Sequence, residues 1–393
     1  MIPRTITIDL MKKNNSLIQQ AFIDRYISAN KEIFIEKIED FFLSGQYILG
    51  PNVDKFETEF SRFTKTKFCI GVADGTRALE FSIRAASKRN PIIFLPSHTA
   101  IATAMAVNSV VPDDMMVFVD MADDHFNMSA KDLESQIQSN ADLIAQNENE
   151  SICIFVPIYG SLKGVEEVRN VCKKHNIKLI IDSAQAHGAY FEKPNKIISH
   201  YSDISSYSFY PTKNLPALGD AGAIVTNNPS YYEKCMLYRE YGWKKNMRNI
   251  SHIKGYNSRL DEIQAIFLNI GLLSLHERNN RRTEIANEYL KLFSNKQNRI
   301  SHYHHGCVFH QFVIETENRE AFIKEALSQK ISLGIHYPLH VIQNKSFSSK
   351  KRKLKNADSA VLKIVSLPIS PELTQKELIY CLEKISKIYE QFN

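Results

Sequence analysis

The sequence predicts an α/β protein with a large, doubly wound, mostly parallel sheet domain and a smaller α+β domain at its C-terminal end. Two observations predict the large domain: short, nearly continuous apolar runs are typical of buried parallel strands, and amphipathic helical segments separate them. The length supports a second domain, since 393 residues exceed the roughly 250–300 residues that one core accommodates. We therefore expect ligands to bind at the carboxyl ends of the strands.

Strands and helices alternate along the first half of the chain. Residues 76–88 place apolar side chains at helical spacing, as do Val165, Val168 and Cys172 in a later segment. The run at 151–160, this later helix and a strand at 178–184 form a β-α-β unit. Two further apolar runs predict buried strands at 91–96 and 115–120.

The pattern changes after about residue 250. Residues 259–294 predict one long helix or a broken pair of helices, and residues 375–392 predict a closing helix. We expect an N-terminal arm at residues 1–30, a large domain at 31–250 and a small C-terminal domain at 251–393.

Composition and charge exclude several classes of protein. Hydrophobic residues make up 44% and charged residues 23%, which is ordinary globular usage. The net charge of +6 comes from interspersed side chains, so we expect no nucleic-acid partner. No stretch approaches 18 consecutive apolar residues and no signal-peptide pattern is present, so we expect no membrane association. The six cysteines lack metal-site or redox-motif spacing, which predicts reduced thiols, no bound metal and a cytoplasmic protein.

Three segments carry residues suited to one kind of chemistry. Gly75 and Thr76 open a predicted helix, and the free N–H groups of a first helical turn can hold a phosphate. Asp182 ends a strand, either as a helix N-cap or as a carboxylate facing a cationic ring nitrogen. Lys213 lies in an aromatic segment, residues 207–215, where loss of water would lower its pKa and favour Schiff-base chemistry. Together these are the parts that an enzyme using pyridoxal phosphate (PLP) needs.

Ten stretches, in the same order along the chain, carry a resemblance to a known family. They are YILGPNVDKFETEF (47–60), GVADGTRALE (71–80), LPSHTAIATAMAV (95–107), VFVDMADDHFNM (117–128), DSAQAHGA (182–189), SFYPTKNLPALGDAGAIVT (208–226), REYGW (239–243), GYNSRLDEIQA (255–265), GIHYPLH (334–340) and SLPISPEL (366–373). On these stretches the sequence resembles the DegT/DnrJ/StrS family of PLP-dependent nucleotide-sugar aminotransferases. The resemblance implies a fold type I PLP transferase, the aspartate aminotransferase-like fold.

The resemblance implies a role for each cofactor-binding residue. Lys213 would form the Schiff base with PLP, Asp182 would keep the pyridine nitrogen protonated, and Gln185 would hydrogen-bond the 3-oxygen of the ring. Many relatives cover the ring with an aromatic residue where this sequence has Ala100, so either His98 or another side chain would cover it here. The implied phosphate ligands are Gly75, Thr76 and Ser208.

The resemblance also implies substrates and a partner. Asn257 would reach the cofactor phosphate of a neighbouring subunit, so a homodimer would share its active sites. His187, His336 and Tyr337 would lie near the sugar nucleotide, although a histidine in a packed loop is often merely hydrogen-bonded. L-Glutamate would donate the amino group to a keto-deoxyhexose linked to a nucleotide diphosphate, with dTDP-3-keto-6-deoxyhexose favoured. The product would serve the biosynthesis of surface polysaccharides, such as lipopolysaccharide O-antigen, or of other glycoconjugates.

The sequence leaves three alternatives open. The first is an aminotransferase for a 4-keto nucleotide sugar. The second is a PLP-dependent sugar dehydratase, although such members of the family replace the lysine with histidine or add an iron–sulfur cluster. The third is a regulatory or nucleic-acid-binding protein that retains the fold, against which the intact Lys213, Asp182 and Gln185 argue.

Overall fold

The computed structural model describes residues 17–88, 91–146, 150–191, 193–194, 196–244, 247–293, 299–347 and 352–392. The first sixteen residues of the predicted N-terminal arm lie outside these ranges. The α-helices are α1 (Ile23–Ala29), α2 (Lys31–Ser44), α3 (Pro51–Phe63), α4 (Gly75–Ala86), α5 (Ile101–Asn108), α6 (Ala130–Ser139), α7 (Ala141–Gln146), α8 (Val165–Lys174), α9 (Ile198–Tyr201), α10 (Pro229–Arg239), α11 (Glu262–Phe293), α12 (Arg319–Ser328), α13 (Lys355–Lys363) and α14 (Gln375–Phe392). The strands are β1 (Phe68–Val72), β2 (Ile92–Pro96), β3 (Met116–Val119), β4 (Ser151–Phe155), β5 (Lys178–Asp182), β6 (Ile204–Ser208), β7 (Gly222–Thr226), β8 (Trp243–Lys244), β9 (Met247–Ser251), β10 (Phe312–Glu315) and β11 (Ile364–Leu367).

Seven strands form the large sheet, in the order β1-β7-β6-β5-β4-β2-β3. Strand β7 runs antiparallel to its neighbours β1 and β6, and the other strand pairs are parallel. This order confirms the predicted doubly wound, mostly parallel sheet. Asp182 ends β5 and Ser208 ends the adjacent β6, while α4 begins with Gly75 three residues after β1. Residues far apart in sequence are therefore brought to one edge of the sheet.

Both faces of the sheet are covered by apolar side chains. In β5, Leu179 and Ile181 belong to one buried cluster and Ile180 belongs to the other. The same alternation holds in β4, where Cys153 and Phe155 face opposite to their neighbours. Because both faces are buried, these strands read as continuous apolar runs rather than alternating ones.

Two predicted elements need comment. The predicted strand at 151–160 is too long: β4 ends at Phe155, because Pro157 has no N–H for the strand ladder and Tyr159 has a left-handed φ of 58°. A short 3-10 turn at Ile158–Gly160 follows instead. Within the segment predicted at 259–294, Glu262–Phe293 forms one continuous helix, α11, rather than a broken pair.

A third apolar cluster lies in the C-terminal part of the chain. The antiparallel pair of strands β10 and β11, α12 and α14 contribute to it, and so do Ile285 and Tyr289 from the second half of α11. Ile18 and Phe22, from the described end of the predicted arm, pack into the same cluster. The division at residue 250 stays a prediction. No described helix is both long enough and apolar enough to cross a membrane.

Candidate active site

A cavity of about 620 Å³ opens at the carboxyl edge of the large sheet. Six of the residues that the sequence singled out line it: Gly75, Thr76, Asp182, Gln185, Ser208 and Lys213. The strand order explains this convergence, since the chain leaves the parallel strands at this edge.

One end of the cavity is suited to a phosphate group. Gly75 and Thr76 are the first two residues of α4, whose N–H groups have no acceptor within the helix and carry the positive end of its dipole. Asp74 caps the helix by accepting a hydrogen bond from the N–H of Arg77, 2.8 Å away. A Cβ atom at Gly75 would lie only 2.5 Å from Cβ of Ser208, so only glycine permits this close approach of α4 to β6.

Asp182 is a buried carboxylate held by hydrogen bonds. Its Oδ2 accepts from the hydroxyl of Thr103 at 2.8 Å, and its Oδ1 accepts from the N–H of Ala184 at 3.3 Å. Burial raises its pKa, and the two hydrogen bonds and the charge of Lys213 oppose that rise. The carboxylate therefore has only partial compensation for its burial, as a group awaiting a cationic partner would.

Lys213 lies on the loop after β6, partly exposed to the cavity. Loss of water lowers the pKa of its ammonium from 10.5 to about 8, and the charge of Asp182 acts in the opposite direction. A pKa near 8 leaves a useful fraction of neutral amine near neutral pH. This is the form that attacks a carbonyl carbon.

Gln185 is fixed from two sides. Its Oε1 accepts from the N–H of Tyr159 at 2.6 Å, and its Nε2 donates to the hydroxyl of Tyr337 at 3.0 Å. The amide has a second N–H, so Gln185 can still donate to a ligand in the cavity. Tyr337 is not among the residues lining the cavity; its hydroxyl bonds Gln185, and its ring packs against those of His98 and His336.

The position expected to cover the cofactor ring is occupied by Ala100, which lines the cavity. His98 lies outside that lining and is buried, with its Nε2 2.7 Å from the hydroxyl of Tyr159. The Tyr159 hydroxyl donates to the carbonyl of His336, so His98 is the donor in their contact. The covering role of His98 stays a prediction.

Three other predicted residues also lie outside the cavity lining. His187 is fully buried and packs against the rings of Tyr207 and Phe209, at centroid distances of 5.5 and 5.4 Å. His336 bonds Ser366 through Nδ1 at 2.8 Å, and burial lowers its pKa to about 4. The third residue, Asn257, is exposed on the surface of its own chain. Contacts of these residues with substrate or with a second cofactor stay predictions.

Sequence reasoning missed three residues that organise the site. Thr99 and Thr103 are one helical turn apart in the stretch LPSHTAIATAMAV, and both line the cavity. Their spacing, just after a predicted strand, was the signal that could have identified them. Tyr159 contacts Gln185, His98 and His336. Its partners come from three distant segments, so no local pattern indicates it.

The groups on this cavity fit PLP: N–H donors at a helix end for a phosphate, a buried carboxylate for a pyridinium nitrogen and a neutral amine for an aldehyde. Fold and site together define a fold type I PLP enzyme. Residues 28–386 match the DegT/DnrJ/EryC1/StrS aminotransferase family, and the chain belongs to this family.

The chain is similar over most of its length to characterised relatives. It is 36% identical to the dTDP-3-amino-3,6-dideoxy-alpha-D-galactopyranose transaminase of Aneurinibacillus thermoaerophilus, over 88% of this chain and 92% of the relative. It is 30% identical to the dTDP-3-amino-3,4,6-trideoxy-alpha-D-glucose transaminase of Streptomyces venezuelae, over 88% and 90%. A crystal structure of S. venezuelae DesV with a ketimine intermediate matches with a TM-score of 0.87 and 26% identity, over 96% of this chain and 100% of that one. The protein is a PLP-dependent aminotransferase.

Proposed function

We propose that this protein transfers the amino group of L-glutamate to the keto group of a deoxyhexose on a nucleotide diphosphate. A 3-keto-6-deoxyhexose on dTDP is the favoured acceptor, because the two relatives described above are named for dTDP-linked 3-amino sugars. The observation that carries the proposal is the meeting of Lys213, Asp182 and the α4 N-terminus on one cavity. With Lys213 present, transamination is favoured over sugar dehydration.

The residues of the chain divide the chemistry among them. When bound, PLP supplies an aldehyde carbon that takes up amino groups and a ring that withdraws electrons from them. Lys213 would hold the cofactor through its Nζ, and its free amine would carry the proton to and from the Cα of the amino donor. Its pKa of about 8 suits both directions of this transfer. The negative charge of Asp182 would keep the ring nitrogen protonated.

Other residues orient and bind. Gln185, fixed by Tyr159 and Tyr337, would donate its free amide N–H to the 3-oxygen of the ring. The cofactor phosphate would be held by the N–H groups at the start of α4 and by hydroxyl groups, from Gly75, Thr76 and Ser208.

A substrate panel tests the proposal. The purified protein, loaded with PLP and L-glutamate, is incubated with 3-keto and 4-keto forms of dTDP-, UDP- and GDP-sugars, and 2-oxoglutarate is measured. We expect the highest kcat/KM with the dTDP-3-keto-6-deoxyhexose. A higher kcat/KM with a 4-keto sugar would favour the 4-keto alternative. The absence of turnover with every sugar would overturn the proposed function.

A homodimer with shared active sites is part of the proposal. Asn257 is exposed and lies outside the cavity of its own chain, as a residue serving a neighbouring site would. Co-expression of the Lys213→Ala and Asn257→Ala chains tests this. If Asn257 serves the partner, each mixed dimer regains one intact site of two, so mixed dimers isolated with two different affinity tags should have about half the wild-type activity. Activity no greater than the sum of the two separate variants would place Asn257 in its own chain's site or in none.

Location and pathway complete the proposal. The buried state of all six cysteines, each a free thiol, supports a cytoplasmic setting, where thiols stay reduced. An amino-deoxyhexose on a nucleotide diphosphate is an activated donor for glycosyl transfer, so the product would enter surface polysaccharides or glycoconjugates. Fractionation of cells, with the protein followed by antibody, tests the location.

A further inference from the structure

Two threonine hydroxyls form a directed chain that ends on Asp182. Thr99 precedes α5 and Thr103 lies within it, and both side chains are 2% exposed. The Thr103 hydroxyl donates to Asp182 Oδ2 at 2.8 Å, and its oxygen is 3.0 Å from the Thr99 hydroxyl. Because a hydroxyl has one proton, which Thr103 gives to the carboxylate, Thr99 is the donor between the two threonines.

This chain is the main stabilising contact of the Asp182 carboxylate. Burial raises the pKa of Asp182; the Thr103 hydroxyl opposes it most, ahead of the Ala184 N–H and the charge of Lys213. No ion pair within 4.0 Å involves Asp182 in the described part of the chain. The other titratable group acting on this carboxylate is Tyr337, whose own pKa burial raises to about 12.

We propose that Thr103, oriented by Thr99, is a positioning residue that stabilises the charged form of Asp182 and sets the direction of its carboxylate for the pyridine nitrogen of the cofactor. The inference rests on the proposed PLP chemistry and adds a part of the site to it. A hydrogen bond to one carboxylate oxygen restrains rotation about the Cβ–Cγ bond, which would otherwise turn the charge away from the ring. The role proposed for Thr103 acts through the carboxylate of Asp182.

The test compares Thr103→Val with Thr103→Ser. Valine has nearly the shape of threonine but no hydroxyl, whereas serine keeps the hydroxyl and loses the methyl group. In the PLP-loaded enzyme we expect Thr103→Val to lower kcat by about 10- to 100-fold, the effect of removing a hydrogen bond from a buried charge. The KM for L-glutamate stays close to wild type, and Thr103→Ser recovers most of the loss. Thr99→Val, which removes only the orienting donor, has a smaller effect in the same direction.

Two measurements, one spectroscopic and one thermodynamic, distinguish a residue that positions Asp182 from one that only fills space. The pH midpoint of the visible absorption of bound cofactor shifts in Thr103→Val and returns in Thr103→Ser. In the cofactor-free full chain, a buried carboxyl with a raised pKa contributes stability below the unfolded pKa near 4 that is lost as the pH rises through the folded pKa. Thr103→Val raises that folded pKa further, so its Tm deficit relative to wild type widens as the pH rises above about 4.

Each outcome is informative. A Tm deficit equal at every pH, with unchanged absorption midpoint, would reduce Thr103 to a packing residue and overturn the inference. Failure of the wild-type chain to bind PLP would overturn the proposed function. The pH dependence of the cofactor-free chain would still decide whether Thr103 stabilises the Asp182 charge.

Discussion

Two groups of predicted residues differ in what their side chains contact. In the first, which we call the sheet-edge wall, every residue lines the cavity: Gly75, Thr76, Asp182, Ser208 and Lys213. In the second, the segment at residues 334–340, His336 and Tyr337 lie outside the lining and hydrogen-bond to Ser366 and Gln185. The polar groups of the wall thus face the cavity, whereas those of the segment form hydrogen bonds with other residues of the protein.

This difference indicates which residues should contact the cofactor or the substrate. The wall residues lie at or beyond the ends of strands. There some polar groups have no hydrogen-bond partner within the protein, and a bound ligand would supply it. The segment is already satisfied by protein contacts, so it should adjust the position of Gln185 rather than carry the reaction. Changes in the wall are therefore expected to abolish activity, and changes in the segment to reduce it.

The largest effect among the next three substitutions is expected from Asp182→Asn, in the wall. Asparagine keeps the shape but removes the charge that stabilises a protonated ring nitrogen, so kcat should fall by about 10²- to 10³-fold. Because the carboxylate is costly to bury, the cofactor-free variant should be no less stable at pH 7 than wild type. Steady-state kinetics and thermal unfolding measure the two quantities. An active variant, or one that loses activity only by unfolding, would break the contrast between wall and segment.

A smaller effect is expected from Gly75→Ala. The added Cβ would lie 2.5 Å from Cβ of Ser208, so the start of α4 must move, and PLP affinity should fall by about 10- to 100-fold. Gly219→Ala is the matched control. There the nearest atom is the flexible amide of Gln264 at 3.1 Å, outside the cavity lining. Titration of each apoenzyme with PLP measures the affinity, and equal affinities would show that α4 does not hold the phosphate.

The smallest effect is expected in the segment, from Tyr337→Phe. Loss of one hydrogen bond to Gln185 is worth about 1 kcal/mol, which corresponds to a reduction of kcat/KM of roughly fivefold. Tyr190→Phe, which removes a 3.2 Å bond to His305 outside the cavity lining, serves as the control. A loss as large as that of Asp182→Asn would mean that Tyr337 touches the reacting groups after all.

The wall could be predicted from sequence because its residues belong to short local patterns. Asp182 ends an apolar run, Gly75 opens a helix, and the sheet order brings their strands to the same edge. The segment could not be predicted in the same way. The contact of Gln185 with Tyr337 spans 152 positions and that of Tyr159 with His336 spans 177, and such pairings leave no mark in local spacing.

His187 is the most deeply buried of the expected substrate residues. The resemblance implies a place near the sugar nucleotide, and the side chain lies against the rings of Tyr207 and Phe209. Both neighbours flank Ser208, which faces the cavity, so alternation along the chain places their rings on the opposite side. The sheet therefore directs His187 into the core.

The most direct test of the central claim is to locate the amine that captures PLP and to measure its pKa. The apoenzyme is mixed with PLP over a range of pH, reduced with borohydride and digested, and the labelled peptide is identified by mass spectrometry. We predict one label, on Lys213, with a capture rate that rises with pH to about 8 and then levels off, because burial lowers the pKa of this amine. Label on another lysine, undiminished label in Lys213→Ala, or a rate still rising above pH 10 would contradict the account.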